Sequence, residues 1–223
     1  MEQFKGEQYT GNNDYFANRL LNKLAQTDPI YAAYEAQAVS REVGFDFQDF
    51  HDVVPRALDE IRETKEAYTE IGIEGREHFG DEIADIMFSL INLARHAGVS
   101  DMPTIEQVTS TIDTMETTEI DTVLLVDHIG EEISRVATDA IKNPDALPEV
   151  MGDLLKQGMH DAFRLALSHG FEPRELLIEN VRKYLIRCQA IETLAAEDNK
   201  NWADLALNNE IVAYWKKAKI LLK

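Results

Sequence analysis

Two pairs of carboxylates are where this sequence could do chemistry. Glu60 and Glu63 stand three residues apart, and so do Glu82 and Asp85. Residues at that spacing share one face of a helix, with Cβ atoms roughly 5–6 Å apart. Two such pairs on neighbouring antiparallel helices would set four acids around one small volume. Four like charges cannot all stay ionised there without a cation. A hard divalent cation meets that need, and Mg²⁺ takes oxygen ligands at about 2.0–2.1 Å. Spacing alone is a weak signal. With 41 acidic residues in 223, chance yields roughly seven acid-x-x-acid pairs.

Context strengthens it. Ile83, Ala84, Ile86, Met87, Phe88, Leu90, Ile91, Leu93 and Ala94 make the second segment apolar on most sides. Glu82, Asp85, Ser89, Asn92 and His96 run through it as a polar stripe at 3–4 spacing. Either other helices enclose that seam, so that its carboxylates need partners, or it is the solvated face of an edge helix. The residues by themselves leave both readings open.

The elements that must position these side chains read as helices. Periodicity predicts helices over about 15–25, 28–41, 50–70 and 75–96, the last stopping where Gly98 offers a cap. A short, weaker stretch covers 102–115. Further helices are expected over 122–142, 148–169, 173–197 and about 208–222. No convincing alternating strand is found, and six prolines with eleven glycines are few for a many-turned β fold. The expected fold class is all-α.

Composition bounds the function. The chain has 22 Lys and Arg against 41 Asp and Glu, a formal charge of −19. Such a charge repels a phosphate backbone, which argues against bulk nucleic-acid binding. A small polyanion is still admissible if a metal cation stands between the negative parties. The single cysteine, Cys188, cannot form an internal disulfide, and no Cys/His cluster offers a zinc site. The opening residues carry no secretory pattern. The longest apolar segment, 83–94, is broken by Asp85, Ser89 and Asn92, and it falls short of the roughly 20 residues a membrane helix needs. A cytoplasmic protein with no membrane partner is expected.

The chain also echoes itself. Residues 59–67 followed by 81–98 resemble 131–140 followed by 149–170: an acidic helix, a loop, then an apolar helix ending at His and Gly. Glu132 falls where Glu60 stands and Asp153 where Asp85 stands. Arg135 and Val150 replace Glu63 and Glu82. Either the chain holds a tandem repeat, or two unrelated amphipathic helix pairs look alike.

The run from Val39 to Ala67, then Asp81 to Asp101, closely resembles the C-terminal domain of the MazG nucleoside triphosphate pyrophosphohydrolases. The shared features are the loop Gly44-Phe45-Asp46-Phe47, the pairs Glu60/Glu63 and Glu82/Asp85, and the segment Asn92 to His96. The likeness covers about 28–98, resumes over about 170–220, and leaves 101–169 unmatched. It implies an α-helical bundle holding Mg²⁺, or Mn²⁺ in its place, through Glu60, Glu63, Glu82 and Asp85. It implies cleavage of an NTP or dNTP to the NMP and pyrophosphate; one carboxylate must then accept the proton of the attacking water, and the catalytic candidates are Glu63 and Glu60. Lys183 and Arg187, four apart, match the family's triphosphate contacts. Trp215 and Lys219 match its C-terminal pair. His78 stands where the family has a lysine just before the second acid pair, and a free histidine is mostly uncharged at neutral pH.

In that light the unmatched middle reads as a degenerate second copy. The organisation expected is an N-terminal helical extension (1–28), a first copy with the acids (29–118), and a second copy with the basic helix and C-terminal helix (119–223). Together the copies would form an internal pseudo-dimer with one composite site, and a homodimer of the whole chain would lie beyond it. The competing arrangement is an insertion packed away from the site. Single residues carry plainer readings too. Lys183 and Arg187 could be a solvated face, Trp215 a core anchor, Phe45 and Phe47 core plugs instead of a base pocket, His96 a structural histidine, and Cys188 packing. The rival functions are an all-α dUTPase-like or dCTPase-like enzyme, and an inactive nucleotide-binding or assembly module.

Overall fold

A computed structural model describes residues 16–70, 75–112 and 120–222. Among them the chain forms α1 (Phe16–Lys23), α2 (Pro29–Glu42), α3 (Phe50–Thr69), α4 (Gly75–His96) and α5 (Ile105–Thr109). It continues with α6 (Thr122–Lys142), α7 (Leu147–Ser168), α8 (Pro173–Glu197), α9 (Trp202–Leu207) and α10 (Ile211–Leu221). No strand occurs among the described residues, and no helix there is long and apolar enough to cross a membrane.

Local chemistry sets the helix boundaries. Asp28 accepts a hydrogen bond from the Ile30 N–H at 3.0 Å and Pro29 opens α2, the N-terminal pattern that side-chain caps and proline favour. Asp49 caps α3 by accepting from the N–H groups of His51 and Asp52. The helices α2, α4 and α7 each end at a glycine of positive φ: Gly44 at +82°, Gly98 at +80° and Gly170 at +72°. At each, the residue after the glycine donates its N–H back into the last turn, Phe45 to Ser40, Val99 to Ala94 and Phe171 to Ala166.

The helix α4 is the axis of the molecule, packing against α2, α3, α7 and α8. Phe79, Ile83, Met87, Leu90, Ile91 and Leu93 on it are fully buried. Two helical hairpins, α3–α4 and α6–α7, form the centre, with α3 against α6 and α4 against α7. Glycines sit at both crossings. A Cβ on Gly130 would lie 3.0 Å from Ile61, and one on Gly158 would lie 2.9 Å from Leu90. The helix α8 packs against α2 and α4 and also against α1 and α10.

The polar stripe of α4 is enclosed, not solvated: Glu82 and Ser89 are buried, and Asp85, Asn92 and His96 are partly covered. Near the C-terminus the structure corrects the expected helix over 208–222. It begins at Ile211, and a separate six-residue helix, α9, precedes it. Asn201 and Asp204 cap α9 reciprocally, whereas six residues are too few to show a period. Tyr15, part of the N-terminal extension and the boundary between 118 and 119 lie outside the described residues.

Candidate active site

Helix spacing on α3 and α4 brings three of the four expected acids together. Carboxylate oxygens of Glu60, Glu63 and Glu82 all lie within 4.8 Å of one another. Thr64 ties the helices at this level, its hydroxyl donating to the carbonyl of Glu60 at 2.7 Å and of Glu82 at 3.3 Å. Glu60 and Glu82 are 4% and 8% exposed, and Oε2 of each is buried with no hydrogen-bond partner. Asp85, one turn further along α4, faces α8 instead and accepts a hydrogen bond from Asn180 Nδ2 at 2.6 Å.

Burial and mutual repulsion set the electrostatics. Burial, then the charge of Asp85, pushes Glu60 up to about 8, with Arg56 opposing. Burial and Asp85 push Glu82 up to about 7, with His78 opposing. Asp85 itself is raised by burial, against the Asn180 hydrogen bond and the charges of Arg56 and Arg187. Arg56 Nη2 stands 2.5 Å from Glu60 Oε1 and Nη1 stands 4.0 Å from Glu63. His78 Nδ1 is 3.4 Å from Glu82. An all-oxygen donor set with two orphaned, buried carboxylate oxygens fits a hard divalent cation, because such atoms are costly to bury without a positive partner.

The expected cations lie on α8 and α10. Asn180, Lys183 and Arg187 share one face of α8 by their 3–4 spacing, and α8 packs on α4. Lys183 Nζ donates to Asp81 Oδ1 at 2.6 Å, one residue before Glu82. The Arg187 guanidinium lies 5.7 Å from the centre of the Trp215 ring. Trp215 is half-buried against Phe45 (5.1 Å between ring centres) and Tyr184 (5.6 Å). Lys219 is exposed on α10.

The loop after α2 splits its two aromatics. Phe45 enters the aromatic group of Tyr184, Trp202 and Trp215. Phe47 is exposed and meets the His96 ring edge-to-face at 6.3 Å between ring centres. Asp46 accepts from Arg95 at 2.6 Å and pairs with His96 at 3.0 Å. Burial works upward on Asp46, but those two partners hold its carboxyl below the usual range. His96 is thus part of a structural network. Cys188 is buried packing, and burial pushes its thiol up. In the second hairpin Arg135 pairs with Glu132 at 2.6 Å, and Asp153 is exposed.

Sequence reasoning missed Arg56 and Asn180. Arg56 was open to discovery, standing four residues before Glu60 and so on the same face. Asn180 carries the same 3–4 spacing to Lys183 and Arg187. Its partner Asp85 is 95 residues away, a distance no local pattern spans. Comparison of the chain with protein-family models, curated proteins and solved structures gives no match.

Proposed function

We propose that this chain is a Mg²⁺-dependent nucleoside triphosphate pyrophosphohydrolase of the MazG type, converting an NTP or dNTP and water to the NMP and pyrophosphate. The observation that carries the reading is the convergence of Glu60, Glu63 and Glu82 with two buried, unpartnered oxygens. These three carboxylates, with Asp85 beside them, would hold the metal. Lewis-acid polarisation of phosphate oxygens is the chemistry Mg²⁺ supplies at such a site.

The chain's own residues do the rest. Glu63 is the least buried of the three acids and accepts the proton of the attacking water. Lys183 and Arg187 project from the helix packed on α4 and neutralise charge growing on the departing pyrophosphate. Trp215 holds Arg187 in place through its ring face. His78 and Lys219 would meet the outer phosphates. The facing of α3 with α6 and α4 with α7 supports reading the two hairpins as a pseudo-dimer in which one half supplies acids and the other cations.

A second reading, a nucleotide-binding module without turnover, is favoured by one observation: Asp85 is hydrogen-bonded to Asn180 and does not join the other three acids. A panel of NTPs and dNTPs incubated with Mg²⁺ separates the two. The proposal expects NMP and pyrophosphate in equal amounts from at least one of them. Binding of nucleotide with no product would favour the second reading.

A further inference from the structure

We propose that Arg56 is a resident counter-cation of the acid cluster, which a divalent ion must displace, so that Arg56 sets how tightly the site takes its metal. This rests on reading Glu60, Glu63 and Glu82 as a divalent-cation site, and it adds a control on loading that the reading does not contain.

The geometry points there in three ways. Arg56 lies one turn before Glu60 on α3 and reaches both Glu60, at 2.5 Å, and Glu63, at 4.0 Å. A single guanidinium thus reaches two of the three acids, Glu63 being paired more closely with Arg62 at 3.3 Å. Its side chain is 44% exposed while that of Glu60 is 5% exposed, so the cation has solvent to withdraw into and the carboxylate does not. A guanidinium also keeps its charge in proteins, so it cannot yield the site by losing a proton. An exposed pair at the same helical spacing contributes a few tenths of a kcal/mol and excludes nothing. This one has a buried carboxyl group as its partner and places a fixed positive charge within a few ångströms of its oxygens. Lys183, by contrast, is engaged by Asp81, and His78 meets Glu82 at the longer distance of 3.4 Å.

The test is Mn²⁺ binding followed by electron paramagnetic resonance, without nucleotide, on the wild type and four variants. Arg56→Met and Arg56→Gln should bind Mn²⁺ about tenfold more tightly, the scale expected when a unit charge near a divalent ion is removed at a partly solvated site. Arg56→Lys keeps the charge and should stay within about twofold of the wild type. Arg135→Met, which breaks an exposed pair with Glu132 on α6, should not change the affinity. Unchanged or weaker binding in both neutral Arg56 variants, with the wild type still binding, overturns this proposal alone. No Mn²⁺ bound by the wild type or by either neutral Arg56 variant overturns it together with the metal-site reading.

Discussion

Glu60 and Glu82 hold their protons to about 8 and about 7 because they are buried beside other carboxylates. In the metal-free protein the folded state therefore binds more protons than the unfolded state above the ordinary carboxylate range. That stability is full below about 4.5 and is lost as pH rises through about 7 to 8. Melting temperature without metal should fall between pH 6 and 9, and Mg²⁺ should raise it more at pH 9 than at pH 6, since the protons must leave first. Equal Mg²⁺ shifts at both pH values would contradict the assignment. Asp46 has the opposite sign: its depressed value stabilises above the ordinary aspartate range and is lost in acid. Glu63→Gln or Asp85→Asn should abolish Mg²⁺-dependent pyrophosphate release while leaving circular dichroism unchanged. Lys183→Ala and Arg187→Ala should each raise the barrier by about 2–4 kcal/mol if they meet transition-state charge, read as kcat/KM; normal turnover in both would make them a mere helix face. At this scale the acids were legible because helical spacing is local. The tie between Asp85 and Asn180 was not, because it joins helices distant in sequence.

The central element is α4, and its reading from sequence was sound for a physical reason. Twenty-two residues of 3–4 spacing with a glycine stop can be read as a helix from local pattern, although packing supplies most of its stability. The same holds for α3, α6, α7 and α8. What sequence left open was whether the stripe on α4 faced water: Glu82 and Ser89 are buried, Thr64 of α3 ties to the Glu82 carbonyl, and Asn180 of α8 bonds Asp85. The short α9 was illegible, being held by reciprocal caps and by Trp202, which donates to Glu192 at 3.0 Å. Crossing distances belong to this scale as well. Gly158 lets α7 approach α4 at Leu90, which is fully buried. Gly158→Val should cost about 1–3 kcal/mol of unfolding free energy through overpacking, measured in urea, and it should lower activity only through stability.

At the scale of the whole molecule, the α3–α4 and α6–α7 hairpins pack on each other. Phe79, Ile83, Met87 and Leu90 of α4 are buried, and the helices that cover α4 include α7 and α8 from the other half. A fragment of residues 1–101 would leave those faces uncovered and should not fold alone, and neither should 102–223. Mixing them should restore helix content and activity together, because apolar burial drives the docking. A cooperatively melting, active 1–101 would overturn the composite arrangement. The sequence carries an echo between the two helix pairs but does not show how the pairs meet, since packing of one hairpin on another is set by contacts that no single segment encodes. Function of this site depends on the α3–α4 carboxylates holding a divalent cation that faces α8. Anomalous diffraction from crystals grown with Mn²⁺ and an α,β-imido nucleoside triphosphate would locate that cation. Manganese is expected among Glu60, Glu63 and Glu82 with the triphosphate between it and Lys183 and Arg187; manganese absent from those carboxylates, or nucleotide bound on another face, would rule the site out.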